Sequence, residues 1–173
     1  MRQNYAKAHA VQRMALLPNL QSQIVNSFFH PPPSLYTHSA MPKKIIMCVD
    51  DEQVVLTSLI GQLNNTFGNK YIYEGFTSAE EAEEYIDELY AEGQTADLIV
   101  CDWLMPRVTG DEFMIRVHKR FPHVQMIMLS GQADQASVER AKTEAKLYKF
   151  VAKPWDKDEL MHEVETALNT PKV

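Results

Sequence analysis

From Lys44 onward, apolar runs of strand length alternate with stretches of helical period. Ile45-Ile46-Met47-Cys48-Val49 is interrupted by no polar residue, as expected for a strand covered on both faces. Val55, Leu56, Leu59, Ile60 and Leu63 then recur at helical spacing on one face. Tyr71-Ile72-Tyr73 reads as a second strand, and its lower apolarity puts it at a sheet edge. Thr77 or Ser78 can cap a second helix whose inward stripe is Ala82, Tyr85, Ile86, Leu89 and Tyr90. The other face of that helix carries Glu80, Glu81, Glu83, Glu84, Asp87 and Glu88, and reads as a solvated surface.

The alternation continues to the end of the chain. Leu98 to Cys101 is a third strand, and Gly110 to Phe121 a helix turning Phe113, Met114 and Val117 inward. Val124 to Leu129 is a fourth strand, with Met126 and Met128 as core filler. Ala136 to Ala145 is a weak helix with few large apolar residues, and Tyr148 to Ala152 is the fifth strand. Asp156 caps a last helix buried through Leu160, Met161, Val164 and Leu168. Five strand–helix units predict a doubly wound α/β domain, its parallel sheet sandwiched between helices.

The first 42 residues do not share this pattern. They carry Arg2, Lys7 and Arg13 but no acid, while the remainder holds 14 basic and 23 acidic residues, a net of −9. Pro31-Pro32-Pro33 and Met41-Pro42 punctuate the shift, so the reading divides the chain into an extension, 1–42, and a folded domain, 43–170. Gln12, Arg13, Pro18, Asn19 and Gln21 break any apolar run that a signal peptide needs. Short helical turns over Val11 to Leu17 and Ile24 to Phe29, or a flexible tail ending in an extended proline spacer, are the two readings of the extension.

Composition narrows the class. At 173 residues, 45% hydrophobic and 23% charged, the chain has room for one ordinary core. A net charge of −6 argues against binding nucleic acid through bulk charge. No apolar run approaches the roughly 20 residues that span a bilayer. Cys48 and Cys101 both sit inside apolar runs and read as reduced core residues of a cytoplasmic protein. The six histidines show no metal-ligand spacing, and His118 and His123 are expected to be exposed at a helix end.

Candidate chemistry gathers at the strand ends. In open parallel sheets, ligands bind outside the carboxyl ends of strands, where strand order reverses. There stand Asp50-Asp51 after the first strand, Asp102 after the third, Ser130 after the fourth and Lys153 after the fifth. An acid after a strand often does no more than cap the next helix, but five such groups at one edge form a constellation. Converging carboxylates repel unless a cation intervenes. Few, hard oxygen ligands suit Mg²⁺, which completes its shell with water and phosphate oxygens. One carboxylate can then act as nucleophile toward phosphorus, with Lys153 and Ser130 serving the phosphoryl oxygens.

The motifs resemble those of the receiver domain of two-component response regulators. The match is carried by Val49-Asp50-Asp51-Glu52, by Asp97 to Pro106 with Gly110, by Leu129-Ser130-Gly131, and by Phe150-Val151-Ala152-Lys153-Pro154-Trp155. The resemblance implies a flavodoxin-like strand order 2-1-3-4-5. It implies Asp102 as phosphoacceptor, Asp51 as a direct Mg²⁺ ligand, Asp50 as a partner acting largely through water, and the backbone carbonyl of Leu104 as a further ligand. It also implies Lys153 as the phosphate-binding lysine, a cis Lys153-Pro154 bond, and Ser130 with Phe150 as the switch pair. The donor implied is a histidine kinase or a histidine phosphotransfer protein, and no enzymatic turnover is expected beyond self-phosphorylation and slow autodephosphorylation. The weak fourth helix, the fifth strand and the last helix form the surface expected to meet an effector or a second copy.

Two rivals share part of this pattern. A phosphatase of the haloacid dehalogenase type also uses an aspartyl nucleophile, Mg²⁺, a hydroxyl and a lysine, but needs a second Asp two residues on, where Leu104 stands. The other is architectural: a stand-alone receiver, or a receiver belonging to a larger regulator or hybrid kinase. Pro171 halts the last helix in either case.

Overall fold

The computed structural model describes residues 43–131 and 135–170, with no side-chain account of Gln135. The expectations for residues 1–42 lie outside these. Strand β1 (Ile45–Val49) leads to helix α1 (Gln53–Phe67), a short 3-10 turn (Gly68–Lys70), β2 (Ile72–Phe76) and α2 (Ala79–Ala91). Then follow β3 (Leu98–Asp102), α3 (Gly110–Arg120), β4 (Gln125–Ser130), α4 (Gln135–Glu144), β5 (Lys149–Ala152) and α5 (Lys157–Asn169). The five strands are parallel in the order β2-β1-β3-β4-β5, the flavodoxin-like order expected.

The unbroken apolar strands are explained by two core layers, because successive side chains point to opposite faces. Met47, Ile99, Cys101, Met126 and Met128 pack on the layer with Ile86, Phe113 and Met114 of α2 and α3. Ile46, Cys48, Leu98, Val100, Ile127 and Leu129 pack on the opposite layer with Leu56, Leu59, Leu160 and Val164 of α1 and α5. Both cysteines are free and fully buried, and burial pushes each thiol well up from its ordinary range. Ser78 accepts a hydrogen bond from the Glu81 amide to start α2, and Asp156 accepts one from the Glu159 amide to start α5.

Four expectations are corrected. The second strand is Ile72–Phe76 rather than Tyr71 to Tyr73; Tyr71 is buried just before it, edge-on to Phe67 at 5.5 Å. Glu74 and Gly75 disguise that strand; a Cβ on Gly75 would lie 2.7 Å from the Cδ1 tip of Ile60, so α1 approaches the strand closely there and that tip would have to turn aside. Tyr90 is 64% exposed and only edges Phe121, because the buried stripe of α2 narrows to Ala79, Ala82, Ile86 and Leu89. The acidic face of α2 is partly paired: Glu80, Glu83 and Asp87 meet Arg107, Arg116 and Arg120. His118 and His123 are half-buried, not exposed.

Candidate functional site

The parallel register brings the strand ends to one edge. Cys101 pairs with Val49, Asp102 with Leu129 and Ser130 with Ala152, so Asp50, Asp102, Ser130 and Lys153 are held near the same rim. Each is fixed by backbone bonds beyond the sheet ladder. The Asp50 amide donates to Phe76 O at 3.1 Å, the Trp103 amide to Leu129 O at 2.9 Å, and the Lys153 amide to Ser130 O at 2.9 Å. The sheet therefore sets the spacing of the functional groups, and the loops only aim them.

Lys153 occupies the centre. Its Nζ lies 2.7 Å from Asp50 Oδ2 and 2.7 Å from Asp102 Oδ1. Asp50 is 1% exposed and Asp102 6%, so the ammonium compensates two carboxylates taken out of water. Asp50 Oδ1 also accepts from the Glu52 amide at 2.9 Å, and Asp102 Oδ2 from the Leu104 amide at 3.1 Å. Burial pushes the Asp102 carboxyl up, and nearby Asp50 adds to this, against the lowering effect of Lys153. Burial also acts to lower Lys153, but its bonds to Asp102 and Asp50 win and its ammonium is held above the ordinary lysine range.

Above this pair opens a cleft of about 600 Å³, lined by Asp51, Glu52, Asp102, Leu104, Met105, Pro106, Ser130, Gly131 and Lys153. Asp51 is exposed on its wall, while Asp50 lies beneath it, buried. Among the described residues, no three acidic, histidine or cysteine side chains converge tightly enough to cage a cation unaided. The donor set is instead one-sided: hard carboxylate oxygens on the protein side and an open cleft on the other. That fits Mg²⁺, which keeps several waters and takes phosphate oxygens, better than a cation needing a closed protein cage. Asp51, Asp102 and the Leu104 carbonyl are the groups able to hold it.

Of the residues singled out in the sequence, Asp50, Asp102 and Lys153 are in direct contact, and Asp51, Leu104 and Ser130 share the cleft with Asp102 and Lys153. Phe150 stands outside the cleft, half-buried against the α2/α3 core layer. The Lys153-Pro154 bond is cis. Trp155 Nε1 donates to Gln62 Oε1 at 3.1 Å, tying the loop after β5 to α1. Sequence reasoning missed Asp111, a buried carboxylate on α3 that accepts from the Trp103 indole at 3.1 Å. Its only sequence signal was an acid in the first turn of a helix, which the helix dipole alone would explain.

Among known proteins, the profile of the response regulator receiver domain matches residues 46–165. The hydrogenase transcriptional regulatory protein HoxA of Cupriavidus necator is 31% identical over 123 residues, covering 71% of this chain and 24% of that protein. The sensor kinase CckA of Brucella abortus is 28% identical over 123 residues, covering 71% of this chain and 12% of that protein. The chain thus matches a quarter or less of the length of these two relatives. The crystal structure of a CheY-like receiver domain protein from Methanospirillum hungatei superposes with a TM-score of 0.63 at 25% identity, covering 73% of this chain and 94% of that one. The signal receiver domain of an HD domain-containing protein from Pseudomonas fluorescens gives 0.64 at 25% identity, with the same two coverages. With its strand order, its strand-end residues and a family match over most of its length, this chain belongs to the response regulator receiver domain family.

Proposed function

We propose that this domain is a phosphorylation-dependent switch in which Asp102 receives a phosphoryl group from a histidine kinase or a histidine phosphotransfer protein. The observation that carries the reading is the Lys153 ammonium set 2.7 Å from both Asp50 and Asp102 at the floor of an open cleft. A carboxylate oxygen of Asp102 attacks phosphorus, forming an O–P bond as the P–N bond of the donor breaks and the imidazole nitrogen keeps the electron pair. Bound Mg²⁺ would supply charge compensation to the carboxylates and the phosphoryl oxygens. The Leu104 amide holds Asp102 Oδ2, so the carboxylate is oriented before the donor arrives. Lys153 can exchange a carboxylate oxygen for a phosphoryl oxygen without leaving the site, because it already bridges two partners.

Ser130 reads the result. It is the last residue of β4, pairs in register with Ala152, and lines the cleft. A hydroxyl drawn toward a phosphoryl oxygen pulls the end of β4 and frees space near Phe150, which sits on β5 two residues before Ala152. That movement would pass to the face formed by α4, β5 and α5, where an effector, an output domain in the same polypeptide or a second copy would dock. The domain carries out no turnover beyond gaining and slowly hydrolysing its own phosphoryl group. Relatives of which the matched segment is only about a quarter favour a role within a larger regulator as much as a stand-alone one. No helix among the described residues is long and apolar enough to cross a membrane, and a cytoplasmic site of action is part of the proposal.

Acetyl phosphate with Mg²⁺ and no kinase tests the reading. The expected result is one phosphoryl adduct by mass spectrometry, absent in Asp102→Asn and absent with EDTA, with beryllofluoride forming a stable mimic. An adduct at full yield in Asp102→Asn, or in EDTA, would overturn it.

A further inference from the structure

One buried charge takes no part in the chemistry above. Asp111, the second residue of α3, is 1% exposed, and a carboxylate withdrawn from water needs partners. Its Oδ1 accepts from Trp103 Nε1 at 3.1 Å. Its Oδ2 accepts from Arg140 Nε at 2.8 Å and from Nη2 of the same guanidinium. Burial pushes its carboxyl up, but hydrogen bonds from Thr109 and Arg140 prevail and hold it below the ordinary carboxylate range. Trp103 directly follows Asp102 in the chain, and Arg140 belongs to α4. One carboxylate therefore links the residue beside the proposed phosphoacceptor to a helix of the proposed output face.

That helix packs on α3 without a large, fully buried side chain among its described residues. Among the α4 residues whose side chains are described, Ala141 alone is fully buried, and it presents a single methyl group. A two-pronged guanidinium bond to a buried carboxylate is a strong, directional tie by comparison. The arrangement is also that of an unmodified site, because Lys153 is engaged with Asp50 and Asp102.

We propose that Asp111 is a positioning residue: with Arg140 and Trp103 it holds α4 in the arrangement of the unphosphorylated domain, and its release accompanies the phosphorylated one. The proposal rests on the switch reading above. Linkage then fixes a sign. A contact made only in the unmodified state opposes phosphoryl binding by the same factor by which phosphoryl binding opposes the contact.

The test uses the full chain with Asp111→Asn, Arg140→Gln and the double substitution. Calorimetric titration with beryllofluoride in Mg²⁺ should show about fivefold tighter binding in each single variant. The double variant should match the singles rather than multiply them, because one pair is removed in all three. Arg140→Lys, which keeps the charge but loses the fork, should fall between Arg140→Gln and the parent. In the unmodified proteins, amide hydrogen exchange should quicken in α4 and stay at parent rates in α1 and α5. A lower thermal midpoint with unchanged beryllofluoride affinity and unchanged α4 exchange would reduce Asp111 to a structural residue and overturn the proposal, as would weaker binding. If Asp111→Asn does not fold, Arg140→Gln decides, since its side chain is 43% exposed and tolerates replacement. If the parent binds no beryllofluoride, the switch reading fails, and the exchange comparison still decides whether Asp111 holds α4.

Discussion

Gly110 is pressed against Asp102: a Cβ at position 110 would lie 2.2 Å from the Asp102 backbone oxygen. The Gly110 amide also donates to Trp103 O at 2.8 Å, so the first residue of α3 is fastened to the backbone that presents the Asp102 carboxylate. Backbone on both sides leaves nothing flexible to give way. Gly110→Ala should therefore cost about 3 kcal/mol, at the upper end for overpacking. Denaturant titration measures it, and a loss under half that would mean α3 can slide away from the site.

Asp102→Asn should stabilise the resting protein at neutral pH in EDTA. The Asp102 carboxyl is raised chiefly by burial, so its ionised form is disfavoured in the folded state. For a raised carboxyl the contribution to stability is full below the unfolded value, near 3.8, and is lost as pH rises through the folded value. Above that, the charged side chain is a burden that the amide lacks. A thermal midpoint a few degrees above the parent at pH 7, with the gap closing toward pH 4, is the expected result. A lower midpoint at pH 7 would show that the bond to Lys153 outweighs burial.

Lys153→Ala leaves Asp50 and Asp102 buried without the ammonium that both contact. Losing one partner of a buried ion pair is costly, and the 21% exposure of the lysine side chain moderates the loss to about 2 kcal/mol. Mg²⁺ should restore more stability to this variant than to the parent, because a dication then meets uncompensated carboxylates. Thermal melts with and without Mg²⁺ check this; an equal gain in both proteins would place the cation elsewhere.

Mg²⁺ binding should also be visible through Trp103, whose indole is anchored to Asp111 one residue past Asp102. In a Trp155→Phe background the emission of Trp103 should change on titration, and the change should vanish in Asp51→Ala. A response surviving that substitution undiminished would remove Asp51 from the ligand set.

The fold was legible because a parallel sheet covered on both faces leaves an unambiguous trace, and Ile45 to Val49 or Leu98 to Cys101 can be little else. The strand-end groups were legible for a related reason: once strands are placed, Asp50, Asp102, Ser130 and Lys153 fall at one edge by register alone. The second strand was misplaced because Glu74 and Gly75 answer to edge exposure and to the approach of Ile60, neither of which has a periodicity. Asp111 escaped notice because its burial depends on Arg140, 29 positions on, and on how two helices meet. Local pattern carries strands; charge pairing between helices is a tertiary fact.

The two contacts of Lys153 also order events in time. Asp50 and Lys153 are 103 positions apart in the chain, and the lysine directly follows β5, the last strand in chain order. Contacts of such long separation form late, after loop closure has been offset by other pairings. A chain emerging from the ribosome exposes Asp50 and Asp102 long before their counter-ion is made. The Asp50–Lys153–Asp102 arrangement thus comes into being only with β5, and a shortened chain lacking that strand would keep every carboxylate of the cleft and still lack the ammonium that joins them.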